Sequence, residues 1–155
     1  MHIRKVKENE LNELARLYRK FYPVHNIFQE TEEEVIRYLR NESRKDEILA
    51  VEVEGIKAAL FVSLRSRTLD HTHCLIKFRH LAYEQEEAAT LLLEEAERTA
   101  REDSKTAKIE VHAAESEKSI PFLKSKGYTV EAPLRTITGM VNPALSWERP
   151  LADLF

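Results

Sequence analysis

Glycine is nearly missing from this chain: 155 residues contain only Gly55, Gly127 and Gly139. A glycine-rich loop that wraps a phosphate needs several glycines within a few residues, so that device is excluded. The single cysteine, Cys74, excludes an internal disulfide framework and suits a reducing compartment. No apolar run approaches the roughly 20 residues that span a bilayer, and the opening MHIRKVKENE has no apolar core of signal-peptide kind. Basic charge is not in excess either. Lys and Arg number 24 against 27 Asp and Glu, for a net charge of −3, which is no footprint for nucleic acid. The expectation is a cytoplasmic protein with neither a nucleic-acid nor a membrane partner.

What is present fits one soluble domain. Hydrophobic residues make up 43% and charged residues 33%, so a sizeable core lies under a heavily charged surface. Leu11, Leu14, Ala15, Tyr18, Phe21 and Tyr22 recur at helical spacing until Pro23, with Glu8, Glu10 and Glu13 toward the positive end. Thr31 and Glu34 form a capping box for a second, shorter helix whose apolar face is Val35, Tyr38 and Leu39. The mixed loop between these helices, 23–30, holds His25 and Phe28 and is placed to line a pocket.

From Glu47 the period changes to two. Leu49, Val51 and Val53 alternate with polar or small residues, and Glu54-Gly55 then separates them from IKAALFVSL, which predicts a tight antiparallel hairpin. The nearly unbroken apolar run 58–64 predicts a strand covered on both faces. A polar turn near 67–70 leads into the strand THCLIKFRHL, and a long helix is predicted from about Glu84 with Ala88, Leu92, Leu93, Ala96 and Ala100 buried. A strand over 108–112, a brief helix over 116–126 closed by Gly127, and two short strands within 128–141 complete the domain. A strand that feeds a helix N-terminus leaves N–H groups pointing outward, a natural place for an anion.

This element order resembles the GNAT superfamily of N-acetyltransferases. SIPFLKSKGYTVE is similar to the family's A-I-P-F-Y-E-K-L-G-F signature, matched at Ile120, Pro121, Phe122, Lys124 or Lys126, Gly127 and Tyr128. HLAYEQEEAATLLLEEAE is similar to the strand, turn and helix written D-P-E-Y-R-G-K-G-I-G-R-A-L-L-E, with Tyr83 on the tyrosine, Leu92 and Leu93 on the paired leucines and Ala89 on the last small residue. The resemblance covers about residues 3–141 and implies a mixed α/β fold. Its sheet would be mostly antiparallel, with about six to seven strands and about four helices. It also implies acetyl-CoA as co-substrate, an amine of a small molecule or peptide as acceptor, and a pyrophosphate held by Leu81, Tyr83, Gln85, Glu87, Ala88, Ala89 and Thr90.

Departures from the family pattern concentrate at that turn. Glu84 stands where the family has Arg or Gln, and Glu87 where it has the first Gly; sliding by one residue recovers Gln85 and Ala88 but puts Thr90 at the small position. A carboxylate about 5 Å from a phosphate charge opposes it by roughly 3 kcal/mol at an effective dielectric near 20, less with salt. The same glutamates also suit a first helical turn that binds nothing.

For chemistry, His80 at the end of the central strand is the first candidate base, followed by His73 and His25. Leu123 occupies the place where the family often has a tyrosine that protonates the leaving thiolate, which leaves that proton to water. His71-x-His73-Cys74 is no metal site, because in a strand Cys74 faces away from the two histidines. The stretch 142–155, with Leu145, Trp147, Leu151, Leu154 and Phe155, is too apolar for a free end and is expected to dock on the domain or on a second subunit in a homodimer. Two functions stay open: acetyl transfer, or a GNAT-like domain without CoA chemistry that serves as a binding or oligomeric module.

Overall fold

In a computed structural model, the structure describes residues 1–22, 27–70, 72–103, 106–114, 118–134 and 144–150. They contain seven strands and four α-helices. Strand β1 (His2–Lys5) is followed by helices α1 (Leu11–Phe21) and α2 (Glu32–Glu42), and then by strands β2 (Glu47–Glu52), β3 (Ile56–Arg67) and β4 (His73–Tyr83). Helix α3 (Glu86–Asp103) leads to β5 (Thr106–Ala114), α4 (Ser119–Ser125), β6 (Thr129–Leu134) and β7 (Ala144–Pro150). Four of the described ladders are antiparallel and the fifth, β4 with β5, is parallel. This is the mixed, mostly antiparallel architecture expected.

The chain forms two compact units. The first comprises Met1–Ser63 and His80–Glu95, and the second Leu64–Arg79 and Ala96–Phe155. In the first unit β1, β2 and β3 lie in that order, with Leu49 opposite Leu60 and Ala50 opposite Ala59. Ala58, Ala59, Leu60 and Phe61 are all buried, as the apolar run requires. Helix α1 covers this sheet because its apolar spacing puts Leu11, Leu14, Ala15, Tyr18 and Phe21 on one face. Helix α2 starts at Thr31, whose hydroxyl accepts the Glu34 N–H at 3.3 Å, and it buries Val35 and Leu39. It is as long as α1, at 11 residues, rather than shorter.

The acidic residues near α1 have specific partners beyond the helix dipole. Glu10 accepts from Arg4, which holds its carboxyl below the usual range, and Arg4 also donates to Glu52 at 2.7 Å. Glu13 Oε1 accepts the Ile56 N–H at 2.7 Å, tying α1 to the β2–β3 hairpin. That hairpin turns through Glu54 (φ 72°) and Gly55 (φ 105°). A Cβ on Gly55 would lie 2.7 Å from Glu13 Oε1. Gly55→Ala should therefore cost about 1–3 kcal/mol through backbone strain and displacement of Glu13. The expected readout is a lower urea midpoint with an unchanged slope.

In the second unit β4, β5, β7 and β6 lie in that order. The β4–β5 ladder runs from His73 opposite Thr106 to Phe78 opposite Val111. Helix α4 ends in the expected left-handed glycine, Gly127 (φ 92°). Tyr128 is buried and donates to Glu97 at 2.8 Å, which satisfies a carboxyl only 6% exposed. The final strand, β7, lies at 144–150, beyond the 128–141 stretch in which the last two strands were expected. It pairs with β5 on one side and β6 on the other. Leu151, Leu154 and Phe155 of the apolar tail lie outside the described residues.

Candidate active site

Alternation along β4 buries Cys74, Ile76 and Phe78. Continued, it would bury His80 next. Instead Leu81 and Ala82 are both buried, and His80 adopts φ 53°. A non-glycine residue in the left-handed region costs on the order of 1–3 kcal/mol and persists only where its surroundings hold it. The irregularity turns the imidazole into a ring of aromatic side chains, as a bulge re-aims a side chain. Phe28 and Phe61 lie 5.1 Å from it, Tyr38 5.8 Å and Tyr18 6.4 Å, all edge to face.

Two hydroxyls meet this segment. The Tyr38 hydroxyl is 2.7 Å from His80 Nε2, and the Tyr22 hydroxyl donates to the Leu81 carbonyl at 2.6 Å. Phe28, from a short 3-10 turn (Ile27–Gln29), stacks on Tyr18 at 4.5 Å and Tyr22 at 5.4 Å and is fully buried. The 23–30 link thus supplies a core residue rather than only a loop. Sequence reading places Tyr38 in the apolar face of α2 and misses its polar partner; a tyrosine in a helical stripe is the one available signal.

Beyond His80 the strand reaches Tyr83, half-buried with its ring 4.7 Å from Phe21. Burial first, and then the Glu86 carboxylate, push its phenol above the ordinary tyrosine value, so it remains a donor at neutral pH. Helix α3 begins at Glu86, not Glu84. Glu84 belongs to the turn: its N–H donates to the Lys57 carbonyl at 2.8 Å and its carboxylate accepts from Lys57 Nζ at 3.2 Å. The turn thus has a cation beside it, supplied by β3 and not anticipated from the sequence. Its one trace there is a lysine in an otherwise apolar run.

Gln85 and Glu87 are exposed, Ala88 and Ala89 are buried, and the Thr90 hydroxyl donates to the Glu86 carbonyl at 2.9 Å. Within the helix, the N–H groups of Glu86, Glu87 and Ala88 have no acceptor. That of Ala89 already reaches the Gln85 carbonyl at 3.2 Å. An anion seated on the first turn would therefore meet main-chain donors and Lys57, with one Glu84 carboxylate already paired. The residues present fit a phosphate, opposed by the exposed carboxylates of Glu86 and Glu87 in the same turn.

His73 is exposed at the opposite end of β4, and Cys74 is buried. His25 and His71 lie outside the described residues. Leu123 is fully buried in α4, and the Tyr128 hydroxyl is spent on Glu97. Among the described residues no helix is long and apolar enough to cross a membrane.

No family model and no curated protein matches the sequence. Solved structures do. An N-acetyltransferase from Staphylococcus aureus Mu50 superposes with a TM-score of 0.69 at 14% identity, over 97% of this chain and 98% of that one. The fold is that of the GNAT N-acetyltransferases. A ribosomal-protein-alanine N-acetyltransferase from Brucella melitensis shares the GNAT fold at TM-score 0.65 and 16% identity, covering 96% of this chain and 99% of its own. An aminoglycoside 6'-acetyltransferase type Ii does so at TM-score 0.68 and 14% identity, over 97% of both chains.

Proposed function

We propose that the chain is an acyltransferase that moves an acetyl group from acetyl-CoA to an amine of a small molecule or polypeptide. The observation that carries this reading is His80: a titratable side chain held at a strained backbone position by aromatic rings from α1, α2, β3 and the 27–29 turn. Strain of this kind is retained where a side chain must be aimed. Similar structures named for a ribosomal-protein alanine and for an aminoglycoside support an amine acceptor.

Bound acetyl-CoA supplies the acetyl group as a thioester. The chain's part is to seat its pyrophosphate on the first turn of α3, at the main-chain N–H groups of Glu87 and Ala88, with Gln85, Ala89 and Thr90 shaping that turn and Lys57 nearby. Leu81 and Tyr83 flank the entry to that turn, and Tyr83 offers a protonated hydroxyl. A main-chain N–H at the end of β4 polarises the thioester carbonyl. His80 takes the proton that the attacking amine must lose. With Leu123 aliphatic, water protonates the departing thiolate. We place the protein in the cytoplasm.

The pyrophosphate seat is tested by thermal unfolding with acetyl-CoA. Glu87→Gly removes one opposing carboxylate and should tighten acetyl-CoA about tenfold at low salt, a fraction of the unscreened repulsion. Each variant is measured from its own ligand-free baseline, because glycine itself weakens the helix by up to about 1 kcal/mol. A smaller ligand-induced shift in Glu87→Gly than in the wild type would overturn the placement of the turn.

A further inference from the structure

The hydrogen-bonding position of His80 Nε2 is taken by the Tyr38 hydroxyl, 2.7 Å away. Four aromatic rings surround the imidazole. Tyr38 itself is only partly buried, on the α2 face that packs against the core. We propose that Tyr38 is the catalytic residue that touches the acceptor amine and that His80 acts through it, the pair working as a two-step proton relay. This rests on the acetyl-transfer reading above and specifies how its proton moves.

In the resting state His80 is neutral with its proton on Nδ1, and Tyr38 donates its hydroxyl proton to Nε2. A protonated amine then gives a proton to Tyr38 Oη as the original phenol proton passes to Nε2. One N–H bond of the substrate breaks and one O–H bond forms, while the old O–H bond breaks and an N–H bond forms on the imidazole. The products are a neutral amine, an unchanged phenol and an imidazolium, so charge is conserved at +1 and no oxidant or further reactant enters. The neutral amine attacks the thioester carbonyl, the C–N bond forming as the C–S bond breaks; the second amine proton passes through water to the departing thiolate, and His80 returns its proton to water. The phenol need never ionise, which matters because a tyrosine with a pKa near 10 is a poor base by itself at neutral pH. The aromatic ring of neighbours fixes the imidazole plane, so that Nε2 stays aligned with the hydroxyl.

Tyr38→Phe keeps the ring and its packing and removes only the relay atom. Acetylation is followed with whichever of a polyamine, an aminoglycoside and an alanine-initiated peptide reacts fastest. Tyr38→Phe and His80→Asn should each lower kcat/KM by about 10²-fold, and the double variant should fall no further than the poorer single one. A fluorinated analogue of the same amine, already neutral at the assay pH, needs no base. With it Tyr38→Phe should return to within about threefold of the wild type, because only proton removal was lost. A Tyr38→Phe enzyme as active as the wild type with the basic amine, or equally impaired with both amines, would overturn the relay while leaving acetyl transfer intact. A wild type that acetylates none of the three amines overturns the acetyl-transfer reading itself. Imidazole nitrogen shifts of the wild-type protein give a check that needs no variant. An Nδ1–H tautomer with Nε2 as acceptor supports the relay, and an Nε2–H tautomer overturns it.

Discussion

His80→Asn should reduce kcat/KM for acetyl transfer to a basic amine by about 10²-fold, the lower end of what a positioned base contributes. It should leave the protein folded. Asparagine is among the few residues that accept a left-handed backbone, so the φ of 53° at this position is retained. Alanine would add backbone strain and a cavity to the loss of the base. Asparagine removes the titratable group while keeping a polar side chain at this position. Circular dichroism and a melting curve check that the fold survives, and the initial rate of thiol release gives the activity. A His80→Asn protein with wild-type kcat/KM would remove His80 from the chemistry.

Phe28→Ala should be the most damaging single change to the first unit, at about 3–5 kcal/mol. Phe28 is fully buried and stacks on Tyr18 and Tyr22 while facing His80 and Tyr38. Its removal empties the centre of the cluster, and neither the 27–29 turn nor the helices can close the gap without moving the rings that hold His80. For a chain of this size the melting temperature should fall by roughly 10 °C. Activity measured well below that temperature should also fall, because the imidazole loses one of its walls. Phe28→Leu, which refills most of the volume, should recover more stability than activity. A Phe28→Ala protein that melts within about 2 °C of the wild type would contradict this account of the core.

The helices and the hairpin are legible because each has a period or a turn residue that its geometry demands. The spacing of Leu11, Leu14, Tyr18 and Phe21 can serve one helical face, and Gly55 can serve the turn before Ile56. His80 is legible as a position, being the last histidine before the turn. Its left-handed backbone is not, since nothing local in FRHLAY announces it. The burial of Leu81 and Ala82 in succession shows it only once the strand is seen.

Tyr38 and Lys57 escape a sequence reading for a related reason. Their partners, His80 and Glu84, lie far along the chain, and a local pattern reads one as apolar and the other as a lone surface charge. Glu84 reads as the start of α3 because acidic residues suit both a helix start and the turn before it. The strand at 144–150 lies where the family pattern has ended, although Leu145 and Trp147 alternate as a strand requires.

Whether the acetyl group moves at all is decided by mixing the wild-type protein with acetyl-CoA and following free thiol with and without an amine. Release that depends on protein and on amine, saturates with both substrates and yields the acetylated amine is the expected result. Thiol release no faster than with buffer, for polyamine, aminoglycoside and alanine-initiated peptide alike, would contradict it and leave a GNAT fold used for binding.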